Sequence, residues 1–140
     1  RGQGARHQAP MTLDELLRVP YERNARGPQA LDCWGQVRLA RLHLFGRPLL
    51  PAFCEVASGD VRAMTKEVVR AASAAGFAPC DPRPGAIATA WQGRTCPHVG
   101  IVVDIDGRLR VLDTNVGAGP RLHTLAGFAA SFTKVVFYDD

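Results

Sequence analysis

A chain of 140 residues, 46% hydrophobic and 21% charged, holds enough apolar material for one domain with a core of its own. No apolar run is long enough to cross a bilayer, and four cysteines (33, 54, 80 and 96) are too few for a disulfide-built scaffold. The net charge of +4 favours an anionic partner such as the carboxylates of a bacterial wall. Nucleic acid and acidic lipid would suit that charge too. But it is scattered, without the aromatic-interleaved basic runs of a nucleic-acid surface, and with no spanning run neither nucleic acid nor membrane is expected as a partner.

Residues 1–10 have almost nothing to bury and read as a flexible arm or tag remnant, leaving 11–140 as the domain. Thr12-Leu13-Asp14-Glu15 fits a capping box opening a short helix that ends before Pro20. Residues 21–29 carry turn formers and no period, and are expected as a loop. Asp32 is a good N-cap for a helix that begins at Cys33 and stops at Gly46. Cys33, Val37, Ala40 and Leu44 make one stripe of it. Trp34, Leu39, Leu42 and Phe45 widen the apolar surface, as in a helix packed on several sides. Ser58-Gly59-Asp60 opens a second long helix ending at Gly76, with Val61, Met64, Val68, Ala71 or Ala72, and Ala75 inward. Arg62, Lys66 and Arg70 lie on its solvated face.

After Pro82 and Pro84 the period changes to that of strands, at 86–91, 98–105, 109–114 and 134–138, with a short helix near 125–131. Helices first and adjacent strands after predict an α+β domain with an antiparallel sheet. Cys54, Cys80 and Cys96 are expected as small buried side chains. Cys96 and His98 lack zinc spacing, so no metal or cofactor is expected.

The chemistry rests on three places. A thiol at Cys33, on the first turn of a helix, sits in the positive field of the macrodipole. Asp106-Gly107 reads as a two-residue hairpin turn pairing Ile105 with Arg108, which sets Gly100 opposite Asp113 and His98 opposite Asn115. His98, Val102, Asp113 and Asn115 then share a sheet face. If the cysteine helix packs on that face, nucleophile, base and orienting group converge, with Asp113 or Asn115 as the third residue.

The text Tyr21, Arg26-Gly27-Pro28, Leu31-Asp32-Cys33-Trp34-Gly35-Gln36-Val37 and His98-Val99-Gly100-Ile101-Val102 resembles the NlpC/P60 family of cell-wall cysteine peptidases, especially its phage-tail-associated members. The resemblance covers roughly residues 11–125 and implies a papain-like fold with helices packed on an antiparallel sheet. It implies Cys33 as nucleophile, His98 as base and Asp113 near the family's third polar residue, often histidine. Tyr21 would stand beside the oxyanion site, Asp32 would help hold the substrate's amine, and Trp34, replacing the common serine, would narrow the cleft or pack into the core. The implied activity is hydrolysis of an amide in the peptidoglycan stem peptide, after D-glutamate. No signal segment opens the chain, so delivery from the cytoplasm to the wall or periplasm by a phage tail or a secretion system is expected. Rival readings are a non-catalytic tail-assembly or wall-binding module, and a papain-like acyltransferase or deamidase.

Overall fold

The computed structural model describes residues 10–52, 61–74 and 76–140. The readings placed on residues 1–9, Cys54, the Ser58-Gly59-Asp60 helix start and Ala75 lie outside the described residues, as do those on the side chains of Val61 and Ala71.

Helix α1 (Leu13–Leu16) opens with the capping box, Thr12 and Glu15 satisfying one another's backbone N–H groups. Helix α2 (Cys33–Phe45) starts at Asp32, whose Oδ1 accepts the Gly35 N–H at 2.8 Å, and ends on Gly46 in the left-handed region. Four consecutive residues, Trp34 to Val37, are buried, so the first turns are enclosed on more than one side. Helix α3 (Val61–Ala74) turns Met64 and Val68 inward and leaves Arg62, Lys66 and Arg70 exposed.

Six strands follow: β1 (Ala78–Cys80), β2 (Ile87–Gln92), β3 (Thr95–Ile105), β4 (Arg108–Asn115), β5 (Gly119–Thr124) and, after helix α4 (Leu125–Ala129), β6 (Lys134–Asp139). They form one antiparallel sheet in the order β1-β6-β2-β3-β4-β5. The domain is α+β. Sequence pattern did not anticipate β1 and β5. Both are edge strands, where Pro79 and Pro120 are tolerated because one side of the ladder needs no donor. Cys80, expected to be buried, sits half-exposed on the edge strand β1.

The β3–β4 turn is the two-residue one expected. Asp106 and Gly107 both have positive φ, and Ile105 pairs with Arg108 and Ile101 with Leu112. The sheet is covered on both sides. Trp34, Val37 and Ala40 of α2 and Met64 and Val68 of α3 share a core with Val99, Ile101, Val103 and Leu112. Ala88, Ala90 and Val111 face the other way and pack under Phe128 of α4.

Strand β3 carries one residue more than β2 at one point: Ala90 pairs with His98, but Gln92 pairs with Thr95. Cys96 and Pro97 thus oppose Trp91 alone, a β-bulge at a residue that cannot donate to the ladder. The extra residue breaks the strand's alternation. Cys96 joins the core beneath α2 and α3, whereas His98, two residues on, stands on the α4 side. The Cys96 N–H donates to Thr65 Oγ1 of α3 at 2.7 Å, and its thiol to the His98 carbonyl at 3.3 Å.

Candidate active site

His98 and Asp113 meet on the sheet. His98 Nε2 lies 2.8 Å from Asp113 Oδ2. Asn115 does not share this contact: it is exposed, and its Oδ1 accepts the Val116 N–H at 2.9 Å as the chain turns into β5. Of the two residues the sequence left open, the ring is paired with Asp113. The close fit depends on Gly100, where a Cβ would come 2.7 Å from Val111 Cγ1 and 2.9 Å from the Leu112 carbonyl. The glycine of the His-Val-Gly-Ile stretch lets β4 hold Asp113 against β3.

The cysteine helix does not cover this face. Its body packs on the opposite side of the sheet, contrary to the arrangement assumed from the sequence, because its apolar stripe matches Val99, Ile101 and Leu112. Only its first turn reaches the site. Cys33 is half-buried at the start of α2, and Gln36, one turn on, donates from Nε2 to the Asp113 carbonyl at 3.3 Å. Cys33 is near enough to the His98 ring for its charge to favour the imidazolium. With Nε2 taken by Asp113, Nδ1 is the ring nitrogen left for the sulfur. Imidazole and carboxylate meet at the end of the sheet, with the sulfur close by and the bulge aiming His98.

Burial is the strongest single influence on His98 and opposes its charged form. The hydrogen bonds and charges of Asp113 and Cys33 together overcome it, and the imidazole is pushed up to about 10. Burial likewise works against ionised Asp113, yet its contacts with His98 and His123 hold it below the usual carboxylate range. The imidazolium is favoured up to about pH 10 and lost above it. In Asp113→Asn, burial is opposed by less, and the NMR titration midpoint of the His98 ring is expected about 1–3 pH units lower. An unchanged midpoint would mean that the carboxylate does not sustain the charge.

His123, on β5, went unnoticed in the sequence. Its Nε2 lies 2.7 Å from Asp113 Oδ1. The signal was present: glycines 117 and 119 after Asn115 make a short turn that pairs Asn115 with Gly119 and Val111 with His123, on the side where Asp113 points. His98, Asp113, His123, Phe128, Ser131 and Phe132 border a cavity of about 180 Å³. The rings of Phe128 and Phe132 lie 5.9 and 6.1 Å from that of His98.

Of the residues around the thiol, Asp32 and Trp34 face inward and Tyr21 stays near the sulfur. Asp32 is 1% exposed and has both oxygens engaged, Oδ1 by the Gly35 N–H and Oδ2 by Arg26. It is a helix cap in a buried ion pair, with no outward oxygen for a substrate amine. Trp34 is 2% exposed and donates from Nε1 to the Pro51 carbonyl at 2.8 Å, so the indole belongs to the core and not to a cleft. Tyr21 is half-buried and bridges to Leu31; burial first, then the charges of Cys33 and Asp32, push its phenol up, which puts it near the thiol. Gly35 has its own reason: a Cβ there would lie 2.6 Å from the Ala25 carbonyl, in the loop that carries Arg26 to Asp32.

Among the described residues, no group of three or more His, Cys, Asp or Glu side chains is arranged to hold a metal ion, and no helix is long and apolar enough to cross a membrane. Comparison with family models, curated proteins and solved structures gives no match to this chain.

Proposed function

We propose that the protein is a cysteine hydrolase of papain-like, NlpC/P60 type that cleaves an amide in the peptidoglycan stem peptide, the bond between D-glutamate and the diamino acid. The observation that carries this reading is the His98–Asp113 pair at 2.8 Å, with Cys33 close by at the start of α2. The bond and the wall substrate rest on the resemblance of the Asp-Cys-Trp-Gly and His-Val-Gly-Ile stretches, and the net charge of +4 suits a surface rich in carboxylates.

In this reading the proton of Cys33 rests on His98 Nδ1, and the thiolate attacks the amide carbon. The Cys33 backbone N–H, at the helix start, faces the developing oxyanion, with Tyr21 beside it. The imidazolium gives its proton to the leaving amine, the C–N bond breaks and a thioester remains. His98 then takes a proton from water as it attacks the thioester, and the C–S bond breaks to free the acid and the thiolate. Asp113 stays charged throughout and fixes the tautomer. Delivery by a phage tail or a secretion system would bring the domain to the wall.

Mass spectrometry of muropeptides after incubating purified sacculi with wild type and Cys33→Ala tests this. New fragments cut after D-glutamate are expected from wild type and none from the variant. Products persisting with Cys33→Ala would remove the nucleophile. Unchanged muropeptides from folded wild type would favour a non-catalytic wall-binding or tail-assembly module, or an acyltransferase acting on another amide.

A further inference from the structure

We propose that His123 is a positioning residue, clamping the Asp113 carboxylate so that Oδ2 faces the His98 ring; this rests on the hydrolase reading above. A carboxylate with one partner can turn about its Cβ–Cγ bond and offer either oxygen. Asp113 has two partners on different oxygens, His98 on Oδ2 at 2.8 Å and His123 on Oδ1 at 2.7 Å. An ionised carboxylate only accepts, so both rings present an N–H from Nε2. For His98 this leaves Nδ1 to exchange a proton with sulfur. For His123 the donated proton is there whether the ring is neutral or charged, so the clamp does not depend on its own protonation.

His123 is itself held. It pairs across the ladder with Val111, while Asp113 pairs with Arg121 beside it. Its ring centroid is 6.0 Å from that of Phe128, which lies 5.9 Å from His98, so one phenyl ring braces both histidines. During turnover His98 alternates between imidazolium and imidazole, and its pull on Asp113 weakens each time it gives up its proton. A second donor keeps the carboxylate in place through that half of the cycle. With Nε2 committed to Asp113, His123 acts through the carboxylate.

The test compares wild type with His123→Leu, His123→Gln and His123→Asn on sacculus-derived muropeptides, with a thermal melt of each. Glutamine sets an amide N–H where Nε2 stands, whereas asparagine is too short. In His123→Leu and His123→Asn, kcat is expected to fall about 10–100-fold, by analogy with partners that orient metal ligands, with KM nearly unchanged. His123→Gln should recover most of the rate. If leucine does not fold, the contrast between glutamine and asparagine decides. Wild-type kcat in folded His123→Asn, or glutamine no better than asparagine, overturns the proposal while leaving the hydrolase reading intact. A wild-type protein that releases nothing overturns both.

Discussion

His98→Gln is expected to slow muropeptide release by about 10⁴-fold or more while leaving the domain folded. Glutamine fills much of the same space and can still donate to Asp113 Oδ2, where His98 Nε2 now sits at 2.8 Å. It cannot take a proton from sulfur or give one to a leaving amine, so only the chemistry is removed. A second readout needs no substrate. With iodoacetamide at mildly acidic pH, Cys33 in wild type should be alkylated well before the other cysteines, because a neighbouring imidazolium favours the thiolate. Cys96 is a built-in reference: it is 2% exposed, and burial pushes its thiol up to about 12. In His98→Gln the lead of Cys33 should vanish. A variant that keeps both the lead and the rate would show that the imidazole is a bystander.

The second large effect is on stability. Arg26→Met should cost about 3–5 kcal/mol, because it strands a buried carboxylate. Asp32 is 1% exposed at its side chain and Arg26 7%, and the guanidinium also donates from Nε to the Ala52 carbonyl at 2.8 Å. Without the arginine, the Gly35 N–H at 2.8 Å and the helix start still act on the charge. For a domain of this size the melting temperature should fall by roughly 10–15 °C. Adding Asp32→Asn to Arg26→Met removes the stranded charge and should recover part of the loss, since asparagine still caps. A single variant within about 1 kcal/mol of wild type, a surface-pair value, would mean that this pair does not anchor the start of α2.

Some of this was legible from single residues. Asp32 and Gly46 bound α2 because an N-cap carboxylate and a left-handed C-terminal glycine each answer a local backbone need. Asp106-Gly107 set the β3–β4 register, and with it the side of the sheet that Asp113 shares with His98, because a two-residue turn leaves no freedom to slip. What escaped was what depends on layers. Nothing in the letters says which side of the sheet α2 will cover, since Val99, Ile101 and Val103 alternate with Gly100 and Val102 in an apolar run that suits either face. The turn formers after Asn115 hid β5 and with it His123. Asp32 and Trp34, candidates for substrate contact by resemblance, turned inward because a capping carboxylate beside an arginine and a large indole on an enclosed helix are both best satisfied in the interior.

The surplus residue in β3 governs how this domain can vary. Elsewhere a connection can gain or lose length at little expense, but here one strand serves two layers: Cys96 reaches back to Thr65 on α3, and His98 reaches forward to Phe128 on α4. Evening out the ladder opposite Trp91 would improve its pairing with β2 and turn the Cys96 amide away from the hydroxyl that receives it. Regularity at that point would come at the expense of the joint between the helical side, which supplies the sulfur, and the far side, which supplies the ring.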